Sequence, residues 1–187
     1  GDVDIADKIV HTGDTNTALR FPAVDTVSVE TSGSEALRVI SSGKVLIGST
    51  NLRNVGGASA NSHLQIEGTT ANTSSVALIN NQASTGSPAL SFGKTRGTSD
   101  GAVTTVADGD NLGLIRFSGA DGTDLENATA QISAIVNGTV SGNTIPTDIV
   151  FQTSATNGAS KAERLRIASN GQVRIGDGSA TDYSISN

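Results

Sequence analysis

Apolar and polar residues alternate with a period of two along most of the 187-residue chain. That is the spacing of strands that bury one face. In chain order the pattern predicts strands over residues 8–10, 18–21, 26–30, 35–40 and 45–48. A second series is predicted over 63–67, 75–80, 89–94, 112–118, 131–137 and 148–153. Parity places Leu64 with Ile66, Val76 with Leu78, Leu90 with Phe92, Ile115 with Phe117, and Ile149 with Phe151. Turn formers such as Thr12-Gly13-Asp14 and Phe21-Pro22-Ala23 punctuate the first series. Gly-rich loops at 95–101, 107–111, 119–123, 138–146 and 155–160 punctuate the second. Helix signals are nearly absent. The one candidate, 121–136, keeps a strand period at Ile132, Ala134 and Val136 and is read as strand.

One hairpin-like stretch is written twice. It runs from Glu35 to Gly48 (EALRVISSGKVLIG) and again from Glu163 to Gly176 (ERLRIASNGQVRIG). The copies lie too far apart for a solenoid repeat, so they bracket something different. A three-residue loop, Ser41-Ser42-Gly43, sets Val39 opposite Val45 and Leu37 opposite Ile47. The same loop at Ser169-Asn170-Gly171 sets Ile167 opposite Val173 and Leu165 opposite Ile175. A two-residue loop would split these residues between faces, because a one-residue slip flips every side chain. Gly at the third position suits a type I turn closed in the left-handed region. A lone hairpin is marginal in water, so four aliphatic side chains need a cover. The cover is either the chain's own middle segment or the same hairpin from sister chains. Homotrimeric packing about an axis covers all three faces at once and is the favoured reading.

Composition strengthens that reading. Hydrophobic residues make up 35 % of the chain and aromatics 3 %, with no Trp or Met. Ser and Thr supply about a quarter of the residues, above ordinary globular usage. Such a chain builds thin β-structure whose core is completed by oligomerisation rather than a thick monomeric core. Recurrent apolar alternation and a charged fraction of only 16 % argue against disorder. The net charge of −6 and a pI near 4.7 argue against nucleic acid and anionic membrane surfaces as partners. Cys is absent, which removes disulfides and thiolate chemistry. No signal peptide, transmembrane run or lipidation motif is visible. The chain begins at Gly1, as a fragment of a longer protein would.

Candidate chemistry is sparse. Asp108-Gly109-Asp110-Asn111 and the run from Asp121 to Glu126 offer oxygen ligands for a hard cation. Neither has the twelve-residue calcium-loop spacing, and Asp-Gly is a common turn dipeptide, so the turn reading is favoured. Glu67, Asp100, Asp121, Asp124 and Glu126 are the carboxylates from which a glycosidase pair would be drawn. The chain has almost no aromatic platform to spare for a sugar, and an enzyme is not expected. His11 and His63 are isolated, so a transition-metal site within one chain is not expected. No Gly-x-Ser-x-Gly elbow, phosphate loop or dinucleotide fingerprint occurs. Lys94, Arg96 and Arg116 form a small basic set that either contacts anionic glycan or blunts strand edges, the second being favoured. Asn72, Asn127 and Asn137 head glycosylation-type triplets, which chance supplies in a chain this rich in Asn, Ser and Thr. No catalytic, cofactor-binding or metal-binding residue is assigned.

Residues 7–22 (DKIVHTGDTNTALRFP), Val27-Ser28-Val29-Glu30, Glu35 to Gly48, Asp110 to Phe117 and Gly119 to Thr123 together resemble tail fibre proteins of tailed bacteriophages, especially marine ones. The stretch from Glu163 to Gly176 resembles the segment that often precedes a C-terminal chaperone domain in such fibres. The resemblance implies a homotrimeric, elongated, β-rich fibre on a virion, used for host attachment, and carries no catalytic residues. The expected architecture is therefore all-β. Residues 1–50 form an N-terminal hairpin shaft module, 51–62 a linker, 63–160 a β-sandwich-like insert, 161–178 a second hairpin module and 179–187 a polar tail. The expected partners are two further copies of the chain, other tail or fibre proteins of the virion, and a host surface glycan. A structural shaft without receptor contact, a non-viral extracellular filament subunit or adhesion domain, and a polysaccharide-degrading tailspike are the competing readings.

Overall fold

The computed structural model describes residues 1–59, 61–155, 160–176 and 183–185. Among these the chain is all-β, with a single 3-10 turn at Ala71–Thr73. It divides into two units, one of residues 1–54 and 59–88, the other of residues 55–58 and 89–187.

The first unit holds one six-stranded sheet in the order β1-β2-β3-β4-β5-β6. Its strands are β1 (Lys8–His11), β2 (Asp14–Ala23), β3 (Thr26–Thr31), β4 (Ser34–Val39), β5 (Val45–Ile47) and β6 (Leu64–Ile66). The first five run antiparallel by short turns, and β6 joins β5 in parallel. The second unit holds a six-stranded antiparallel sheet, β12-β11-β10-β9-β8-β7. Its strands are β7 (Asn111–Ser118), β8 (Ala128–Val136), β9 (Thr147–Ser154), β10 (Lys161–Ile167), β11 (Val173–Ile175) and β12 (Tyr183–Ile185). The strand period at Ile132 and Ala134 is realised in β8, so the weak helix signal is overridden.

Both repeated hairpins form in the expected register. Leu37 faces Ile47 and Val39 faces Val45. Leu165 faces Ile175 and Ile167 faces Val173. Each loop closes with the same two backbone bonds. Ile40 N–H donates to the Lys44 carbonyl and Gly43 N–H to the Ile40 carbonyl, matched by Ala168 to Gln172 and Gly171 to Ala168. Gly43 and Gly171 sit at φ 74° and 85°, in the left-handed region where a Cβ is strained.

Three features depart from the periodicity. Residues 75–80 and 89–94 have strand spacing yet enter no ladder. The second hairpin is continuous with the middle strands, since β9 pairs directly with β10. The expected polar tail contributes β12, which pairs with β11; the rest of residues 179–187 lies outside the described residues, as do residues 156–159 of the loop expected at 155–160 and residue 60 of the expected linker.

Candidate functional surface

Register assigns side chains to the two faces of each sheet. In the first sheet one row crosses all six strands: Ile9, Leu19, Val29, Leu37, Ile47 and Ile66. Val27, Val39, Val45 and Leu64 form a second row on the same face. In the second sheet Ile115, Ile132, Phe151, Leu165 and Ile175 align, and beside them Ala134, Ile149, Ile167 and Val173. None of these aliphatic rows is fully buried, and many members are more than a third exposed.

The opposite faces are polar and better covered. In the first sheet they carry Ala18, Thr26, Ser28 and Leu46, all buried, beside Arg20, Glu30, Glu35 and Arg38. In the second they carry buried Ser133, Asp148 and Val150 beside Gln131, Gln152, Glu163 and Arg166. Within a single chain, the apolar side of each sheet is therefore its less protected side. That inverts the usual order of an isolated antiparallel sheet, which hides its apolar face.

A bulge builds the polar faces in both repeats. Residues three apart in a regular strand point to opposite faces. In β4, Glu30 pairs with Glu35 and Val29 with Leu37, so Ala36 is the extra residue. In β10, Gln152 pairs with Glu163 and Phe151 with Leu165, so Arg164 is extra. The extra residue returns each Glu to the face of the Arg three positions later. Arg38 then donates to both carboxylate oxygens of Glu35, at 2.5 and 2.6 Å. Arg166 grips Glu163 in the same way, at 2.8 and 2.5 Å.

Asp148 is the one fully buried carboxylate among the described residues. It accepts from Arg166 Nη1 at 2.6 Å, from Asn137 Nδ2 at 2.6 Å and from Ser169 N–H at 2.8 Å. Burial alone pushes its pKa up; the three donors outweigh that and hold it below the ordinary carboxylate value. Periodicity counted Asp148 only as the start of a strand. The spatial meeting with Asn137 and Arg166 left no local signal. The Glu-x-x-Arg spacing recurs in both hairpins, but in a regular strand it sets Glu and Arg on opposite faces, so the ion pairs too were visible only once the bulge set the register.

The acids singled out from the sequence are committed to loop structure. Asp110 accepts from Nε and Nη2 of Arg96 and from the Ala107 N–H, and is held well below the usual carboxylate range. Asp108 accepts from Gly138 N–H. Asp121 accepts from Thr123 and Asp124 N–H and from Asn127 Nδ2, which lower its pKa. Asp124 accepts from Glu126 N–H. Glu67 pairs with Arg53 at 3.0 Å and borders an open polar hollow of about 350 Å³ with Glu35, Ser49, Asn51 and Arg53. Asp100, His11 and His63 are exposed. Among the described residues no group of three or more His, Asp or Glu is placed to hold a metal ion. Lys94 Nζ donates to the Thr95 carbonyl, and Arg116 lies on the polar face of β7 opposite Gln131. No helix of the described residues is long and apolar enough to cross a membrane.

On the apolar face of the second sheet an open groove of about 340 Å³ is bordered by Phe92, Gly113, Ile115, Ile132, Ala134 and Ile149. The Phe92 side chain packs on Gly113, where an added Cβ would lie 2.7 Å from the Cβ of Phe92. Any side chain at position 113 would displace it.

No family model matches the chain. No curated protein matches it. Among solved structures, the chain is similar to the carboxy-terminal domain of the bacteriophage T5 L-shaped tail fibre, with a TM-score of 0.65 and 15 % sequence identity, over 94 % of this chain and 77 % of that one. The all-β architecture of two sheets is thus one that a phage tail fibre domain also adopts.

Proposed function

We propose that this chain is a structural and adhesive segment of a bacteriophage tail fibre, that it assembles as a homotrimer, and that it serves host attachment from the virion tail. The carrying observation is the inverted burial of the two sheets. Each leaves its aliphatic rows less protected than its polar rows, and removing such surface from water contributes about 25 cal/mol per Å² before the entropy cost of association is subtracted. Copies of the same chain supply a matching apolar face without a separate partner. The likeness to a T5 tail fibre domain supports the fibre role.

The role is mechanical rather than catalytic. Asp108, Asp110, Asp121, Asp124 and Glu67 are engaged in turns and ion pairs, which supports that reading. Attachment to a surface glycan relies on multivalency, since several weak sites on one rod give strong avidity. Sedimentation or light scattering at micromolar concentration tests the assembly. A mass three times the 18.8 kDa of one chain is expected. A monomer overturns the shared-core reading, and open-ended polymers favour a filament subunit. Release of reducing ends from host polysaccharide would overturn the non-catalytic role.

A further inference from the structure

We propose that residues 75–80 and 89–94 are strands that form only by pairing with a second copy of this chain, so that neighbouring chains interlock there. The inference rests on the homotrimeric reading above and names the segments that carry it.

The sequence gives both segments a strand period, Val76 with Leu78 and Leu90 with Phe92. The other predicted strands all found ladders; these two did not. Among the described residues no backbone–backbone hydrogen bond is made by residues 75–79 or 87–93. Their large side chains are left to water: Val76 is 71 % exposed, Leu78 51 %, Ile79 78 % and Leu90 70 %. Single exposed aliphatics are ordinary, but a run of them on backbone without ladder partners is the surface that another strand completes.

Local structure prepares each segment without pairing it. After the first, Asn80 Oδ1 accepts from Gln82 N–H at 2.8 Å, and Asn80 Nδ2 donates to the Gly86 carbonyl at 3.3 Å. These bonds shape a turn that needs no tertiary partner. The second is pinned at one point, where Phe92 rests on Gly113 of β7. Among the described residues β7 is an edge strand, so its outer backbone groups are also without a strand partner there.

Charge identifies the occupant. Residues 68–93 contain no Asp, Glu, Lys, Arg or His, in a chain where charged residues are 16 %, so the two segments carry a single charge, Lys94 at the end of the second. Symmetric assembly brings like residues of the copies close together, and like charges directly opposite are destabilising. A net charge of −6 per chain makes that penalty general. A foreign protein partner would gain attraction and steering from charges opposite to its own, and the stretch offers none. A glycan would be met mainly by polar and aromatic groups, whereas these segments present Val, Leu and Ile, and their one aromatic ring, Phe92, rests on Gly113.

Hydrogen exchange read by mass spectrometry, on the full chain with its mass measured in parallel, tests the proposal. In the trimer, amides of 76–80 and 89–93 are expected to exchange at least ~100-fold more slowly than unstructured peptide, and to lose that protection on dilution to monomer. The double variant L78D/L90D is expected to lose it at any concentration, whereas V103D, at a side chain 97 % exposed outside both segments, keeps it. A trimer whose segments exchange freely overturns the interlock and leaves the fibre reading standing. A monomer overturns both. Protection that persists in the monomer reveals an intrachain ladder, and protection gained only on adding host polysaccharide assigns the segments to a receptor; either result also overturns the proposal.

Discussion

In the first repeated hairpin the cross-strand partner of Arg38 is Leu46, which is fully buried. In the second, the partner of Arg166 is Arg174, which is exposed. Loop, register, bulge and ion pair are otherwise the same in β4–β5 and β10–β11. The difference lies in what holds the arginine face. The first hairpin sits beside the parallel strand β6 and packs Leu46. The second has no aliphatic anchor at that position and instead clamps Arg166 between two carboxylates, Glu163 and the buried Asp148. At the hairpin position opposite the arginine, one local structure is thus secured by packing in one unit and by a buried polar network in the other, where the buried aliphatic neighbour of Arg166 is Val150 of β9.

Breaking the network tests this most sharply. Asp148→Ala strands Arg166 Nη1, Asn137 and the Ser169 N–H. Removing one partner of a buried pair costs about 3–5 kcal/mol, and a loss of that size is expected in denaturant unfolding. An effect under about 1 kcal/mol would show that water replaces the carboxylate and that the network adds little.

Next comes the packed side. Leu46→Ala is expected to cost about 2–5 kcal/mol, as for other buried Leu residues. Arg174→Ala at the matching position should stay within about 0.5 kcal/mol, as exposed substitutions do. Equal costs at the two sites would remove the contrast between the hairpins.

The loops are where the two copies should behave alike. Gly43→Ala and Gly171→Ala meet no atom within 4 Å, so their cost is conformational alone. Each should lose about 1–2 kcal/mol from forcing a Cβ into the left-handed region. Asn at the same positions should recover part of it, and thermal unfolding of the four variants reads the comparison.

The smallest effect is a pH dependence in the second unit. Asp148 has a folded pKa below its ordinary value of 3.8. A carboxylate so depressed contributes stability that is fully present above its unfolded pKa and is lost as pH falls through the folded one. Stability is therefore expected to decline progressively below about pH 4, and Asp148→Asn should flatten that decline. An unchanged slope in the variant would assign the acid sensitivity to other carboxylates, Asp110 and Asp121 among them.

Much of this was legible locally. The period of two located strands from Lys8 to Ile167, and Ser-Ser-Gly and Ser-Asn-Gly fixed two loops and their registers, because these depend only on pleat geometry and on glycine's freedom at positive φ. Ala36 and Arg164 were invisible as bulges, since the alternation around them tolerates either reading until a neighbouring strand sets the register. Asp148 read as one more strand residue; its burial needs Asn137, Arg166 and Ser169, which only the folded chain brings together. Residues 75–80 and 89–94 carry the strand pattern without the strand, because alternation records which side chains favour a covered face and says nothing about where the partner backbone lies. Sequence by itself determined the β class, the doubled hairpin and the aliphatic rows. Only the tertiary structure decided which face of each sheet is covered, since burial depends on residues distant in the chain.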